Sequence, residues 1–170
     1  MNVQSLQSTA KDQLTLVLSF FPRVDAKASV VLAVDTGMAG YLASRLPSPQ
    51  TVPLWELIAP STTFVLVAIS FVYLYKGAFP NLAGGHDSLV YFHQIAKRTE
   101  AKFIEEFSTQ SETDYGKDLL GQAWRNSEIL VLKFRFLKSA FIFMALAIIP
   151  WTIALAQFGM KFMPEVQKAH

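Results

Sequence analysis

The chain contains no cysteine, which excludes a disulfide framework, a thiolate nucleophile and any zinc site built on sulfur. Charge is scarce as well: Asp, Glu, Lys and Arg make up 16% of the residues, against about 25% in an ordinary soluble domain. The formal net charge of +2 is too small to attract a nucleic-acid polymer. A cleavable signal peptide is not expected, because the first ten residues are polar and the first apolar run follows Asp12 rather than a basic segment. Gly84 and Gly85 lack the following Lys and Ser or Thr of a phosphate loop. There are no internal repeats and no low-complexity tract.

What is present is apolar residues in blocks, 52% of a chain of 170, which points to one compact all-α membrane module with a small soluble part. The stretch to Phe21 places Leu14, Val17, Leu18 and Phe21 on one helical face and reads as an amphipathic helix that either lies at the membrane surface or packs on the soluble part. Pro22 is expected to separate it from the next helix. A first span is expected from about Ala28 to Leu46 and a second from about Leu57 to Tyr75, joined by a turn with Pro47, Pro49 and Pro53. Trp55, Tyr73 and Tyr75 suit the two headgroup levels of the second span.

From His86 the pattern becomes soluble and helical. Asp87 or Ser88 can cap a helix through Ala96, and Thr99 can cap another. No proline then occurs until Pro150, so one long helix from about Asp114 to Phe158 is expected. At 1.5 Å per residue it extends on the order of 65 Å, too far for a bilayer, so only Phe141 to Phe158 spans. The expected organisation is residues 1–22 as an N-terminal cytoplasmic segment, 23–79 as two transmembrane helices, 80–138 as a cytoplasmic helical module, and 139–170 as a third transmembrane helix with a short outer tail. Of the 15 Lys and Arg residues only Arg45, Lys161 and Lys168 fall on the other side of this three-span arrangement, which places the N-terminus in the cytoplasm.

Two features of the first span bear on function. Ser29, Ala33, Gly37, Gly40 and Ser44 form a face of small residues suited to close helix approach, within the chain or between copies in a homo-oligomer. Asp35 is an ionisable group in an apolar segment; it is either a functional group or a carboxylate bonded to Ser, Thr or Lys on a neighbouring helix.

An enzyme is not expected. His86 beside Asp87 lacks the further ligands a metal site requires, with His93 and His170 the other histidines, and a helix cap explains the pair. No nucleophile stands paired with a base. The soluble segment instead offers an anion site of Lys97, Arg98 and Arg125 with flat side chains from Tyr91, His93 and Trp124, suited to a small phosphorylated base. The same basic residues also suit orientation and anionic lipid headgroups.

Three stretches resemble the transmembrane effectors of the bacterial Pycsar antiphage systems. Arg23-Val24-Asp25-Ala26-Lys27-Ala28-Ser29 is similar to a family motif of the form Asp-x-Lys-Ala-Ser. Ser88 to Ala96 follows the second span, and Gln122 to Lys133 leads into the last, so the resemblance covers about Arg23 to Leu155. Ala26 stands where the family commonly has Thr. The resemblance implies an inner-membrane effector, switched by cyclic CMP or cyclic UMP to impair the bilayer, with no catalytic residue and no cofactor; it carries over no ligand contact residue by residue. A small membrane scaffold that binds another protein through its cytoplasmic helices is the alternative, and a lipid-processing enzyme a third.

Overall fold

A computed structural model describes residues 3–46, 53–80 and 87–167, with side chains placed between 6 and 158. The proline turn at 47–49, the Gly84-Gly85 connector, His86, Lys168 and His170 lie outside the described residues, as does the Lys161 side chain. The described chain is helical: α1 (Val3–Leu18), α2 (Phe20–Arg45), a 3-10 turn (Leu54–Leu57), α3 (Ile58–Ala78), the single turn α4 (Phe92–Ile95), α5 (Glu100–Thr109) and α6 (Glu112–Gln167). Two compact units result, Met1–Val24 with Pro80–Lys133, and Asp25–Phe79 with Phe134–His170.

The first unit packs α1 against the N-terminal half of α6. Ala10 and Leu14, four apart, meet Leu119 and Ala123, also four apart, with Val90 and Tyr115 closing the cluster. α1 passes directly over Gly116, where a Cβ would meet Leu6 Cγ at 3.5 Å, an ordinary packing distance. Of the two readings of the amphipathic N-terminus, these contacts favour packing on the soluble helices. The chain breaks at Ser19, three residues before the expected Pro22, because proline removes the N–H that would bond the Leu18 carbonyl and crowds that same carbonyl. Pro22 itself falls in the first turn of α2, where its missing N–H costs nothing.

α5 and α6 start as their sequences direct. Thr99 Oγ1 accepts from the Lys102 N–H at 3.3 Å, and Ser111 Oγ accepts from the Asp114 N–H at 3.1 Å. The helix expected from Asp87 or Ser88 is shorter than its pattern. Asp87 adopts φ 58 and α4 begins only after Tyr91. Ser88 does act as a cap, accepting from the Val90 and Tyr91 N–H groups at 3.1 and 2.9 Å, but it closes a turn and not a helix.

In the second unit three helices pack in layers. Val31 meets Ala140 and Met144; Met38 meets Val67 and Ala147; Leu42 meets Ala154 and Phe158. Ala140, Ala147 and Ala154 recur every seventh residue and are fully buried, so α6 supplies the small surface for close approach. The small face of α2 does not pack within the chain: Ala33, Gly37, Gly40 and Ser44 are exposed, and open space surrounds both glycines. Tyr73 likewise differs from a headgroup anchor, being stacked on Phe143 at 5.6 Å, whereas Trp55 and Tyr75 are exposed.

Among the described residues two helices, not three, are long and apolar enough to cross a membrane: Leu54–Ala78 and Glu112–Phe158. The expected first span lies within a continuous helix of 26 residues, but Asp35, Arg45 and its glycines, alanines and serines dilute the apolar run. α6 continues as helix through Pro150.

Candidate functional site

In the first unit the turn from Asp87 to Arg98 is built on polar contacts. Asp118 accepts from the Ser88 hydroxyl at 2.7 Å and from the Leu89 N–H at 2.8 Å. Gln122 Nε2 donates to Ser88 Oγ at 3.1 Å. Arg98, 12% exposed, is bonded on every side: Nε donates to Glu106 at 2.6 Å, one terminal nitrogen to the Ser88 and Gln94 carbonyls at 3.2 and 2.9 Å, and the other to the Asp87 carbonyl at 3.0 Å. Its guanidinium fork thus holds the turn on which three other candidate residues stand. Tyr91 and His93 share a ring cluster with Phe92, their own centroids 6.1 Å apart, and Lys97 is exposed.

Trp124 and Arg125 come together on α6. With Ser127, Glu128, Val131 and Leu132 they line an open groove of about 430 Å³. Positions 124, 127, 128 and 131 are spaced to share one helical face. The Trp124 ring is 66% exposed, and Arg125 bonds Glu128 at 2.9 Å. A flat aromatic face beside a guanidinium suits a planar anionic ligand, and the apolar floor suits a helix. Asp118, Gln122 and Glu106, which fix the turn, were not readable as a set, because partners 8 to 34 residues apart along the chain meet only after α5 and α6 fold.

In the second unit Asp35 is fully buried where α2, α3 and α6 meet. Ser70, also fully buried, places its hydroxyl 2.6 Å from Asp35 Oδ2 and 3.0 Å from the Ala140 carbonyl oxygen. Serine on a neighbouring helix is one of the partners expected for this carboxylate; the identity of Ser70 was the part missed, and a lone hydroxyl in the run Phe64 to Val72 was its signal. About three turns further along α6, Trp151 Nε1 donates to the Met38 carbonyl at 3.2 Å. A second groove, about 700 Å³ and apolar, lies at Leu54, Trp55, Leu57, Ile58 and Ser61.

Among the described residues no cluster of three or more His, Asp or Glu is placed to hold a metal. A family model described as Pycsar effector protein domain matches residues 9–158. No curated protein and no solved structure gives a significant match.

Proposed function

The chain belongs to the Pycsar effector family, and on that premise we propose that it is an inner-membrane effector of antiphage defence, switched by cyclic CMP or cyclic UMP to impair the bilayer. Membership places it among effectors, not enzymes. The observation that carries the proposal is α6: one helix supplies Leu119, Ala123, Trp124 and Arg125 to the first unit and Ala140, Met144 and Ala147 to the second. A ligand bound on its first half can therefore bias its second half, by as much as its affinity differs between closed and open states.

In this reading the ligand rests on Trp124 and Arg125, with Tyr91, His93 and Lys97 presented by the turn that Arg98 secures. α2 forms a third span with α3 and α6: its 26 residues rise about 39 Å, enough for a bilayer. The side on which most Lys and Arg residues fall is cytoplasmic. The exposed small face of α2 at Gly37 and Gly40 is where copies of the chain meet.

Calorimetry on the full-length protein in nanodiscs and dye release from liposomes test this together. Either nucleotide is expected to bind and to trigger release, and Arg125→Ala to weaken binding about tenfold or more, as loss of a charge-assisted contact does. Failure of both nucleotides to bind overturns the proposal. The apolar groove floor of Val131 and Leu132 favours a second reading, a partner protein's helix seated there. Release that follows addition of a partner protein and ignores nucleotide selects it.

A further inference from the structure

The contacts around Ser70 contain a hydrogen count that decides the state of Asp35. A serine hydroxyl has one hydrogen, yet Ser70 Oγ lies at hydrogen-bond distance from two oxygens, Asp35 Oδ2 at 2.6 Å and the Ala140 carbonyl at 3.0 Å. If Asp35 were a carboxylate, both oxygens would be acceptors only. The single hydrogen would then satisfy one contact and leave the other as oxygen against oxygen, lone pair facing lone pair, between fully buried groups. A hydrogen on Asp35 removes the conflict: Oδ2 donates to Ser70 Oγ, and Ser70 donates to the carbonyl of Ala140.

A second observation agrees. The other oxygen, Asp35 Oδ1, is buried and has no hydrogen-bond partner. An orphaned oxygen is far more costly on a buried carboxylate than on a neutral acid.

Among the described residues Asp35 forms no ion pair. Along α2 the buried neighbours one turn either side are Val31 and Met38, and the layers they enter contain Val67 from α3 and Ala140, Met144 and Ala147 from α6. The titratable side chains nearest along these helices are Lys27 and Tyr41 on α2, Tyr73, Tyr75 and Lys76 on α3, and Arg135 and Lys138 on α6. All are exposed except Tyr73, which is stacked on Phe143.

We propose that Asp35 is a carboxylic acid in this packing and that Asp35, Ser70 and the Ala140 carbonyl form a latch joining α2, α3 and α6 while the acid keeps its hydrogen. Parting of the helices admits water to Oδ1. The proton then passes to water, and the carboxylate left behind is solvated only in the open arrangement. Opening and proton release are thus one equilibrium, and raising the pH favours the open side.

Difference infrared spectroscopy, with aspartate carboxyl carbons isotopically labelled, tests the protonation state in detergent and without nucleotide. At neutral pH the full-length protein is expected to show a label-sensitive carboxylic-acid carbonyl band that Asp35→Asn lacks. Absence of that band overturns the proposal. Basal dye release from liposomes tests the latch. Ser70→Ala, which removes the middle of the chain of hydrogen bonds, is expected to raise leak about tenfold. Asp35→Asn, whose amide can donate to Ser70 in the acid's place, is expected to stay as tight as wild type and to lose the rise of leak with pH. Wild-type leak from Ser70→Ala, or an unchanged pH response in Asp35→Asn, overturns the latch. The infrared band does not depend on the nucleotide reading, so the two can fail separately.

Discussion

The two units solve the burial of polarity in opposite ways. In the first, the Asp87 to Arg98 turn gathers many hydrogen bonds onto a few side chains, and Arg98 alone serves three carbonyls and Glu106. In the second, packing rests on apolar layers seamed by Ala140, Ala147 and Ala154, crossed by the junction of Asp35 with Ser70 and by the Trp151 bond to the Met38 carbonyl. The difference follows the solvent. A turn exposed to water must outcompete water for every backbone group, and concentrates its bonds to do so. Helices in lipid gain little from apolar burial and associate through close van der Waals fit instead. The first unit is accordingly vulnerable to deletion, and the second to addition.

The largest effect expected is from deletion in the first unit. Arg98→Ala removes the donor shared by three carbonyls and leaves Glu106 with Lys102 alone, and is expected to cost about 3 kcal/mol. Hydrogen exchange should show lost protection across residues 87–109 while α3 keeps its own. Equal loss in both units would erase the distinction.

Addition in the second unit comes next. Ala147→Leu pushes a larger side chain into a layer already filled by Met38 and Val67, at about 1 to 3 kcal/mol. Gly37→Leu meets open space and should leave the fold intact while reducing cross-linked oligomers. Unfolding in SDS, followed by circular dichroism, separates the two variants; equal destabilisation would mean that the exposed face of α2 packs within the chain.

The smallest effect sits at the start of α6. Removing its cap by Ser111→Ala is expected to cost about 1 kcal/mol. The Ser111 hydroxyl, and after it Lys117, hold the Asp114 carboxyl below the ordinary carboxylate range. Because the folded value is the lower one, the stability this adds is present above the unfolded value and lost as pH falls through the folded value. In Ser111→Ala the Asp114 titration, read by NMR, should move up toward the ordinary range. An unmoved titration would assign the shift to Lys117 alone.

Much of the architecture was legible because it follows from local rules. The long run without proline gave α6, Thr99 gave the start of α5, and the apolar blocks gave α3. Asp35 stood out as the costly residue of α2, with a hydroxyl among its expected partners. What was not legible depended on side chains distant in sequence. Arg98 looks like a free anion fork until Glu106 folds back on it through α5, and the small-residue stripe of α2 looks like an internal seam until the alanines of α6 are seen to fill that role. The Asp87 to Tyr91 stretch has helical spacing, but the positive φ at Asp87 and the bonds to Asp118 override it.

The pairing of Ala10 and Leu14 with Leu119 and Ala123 has a consequence for synthesis on the ribosome. α1 emerges first, yet its partners are more than a hundred residues downstream, beyond α2 and α3. Its apolar stripe must wait, exposed to chaperones or lying at the bilayer surface, until α6 arrives. The first unit can therefore close only once the chain to Lys133 is made, still ahead of the second, which waits for Phe134–His170, and a fragment beginning at Pro80 would lack the helix that completes the first.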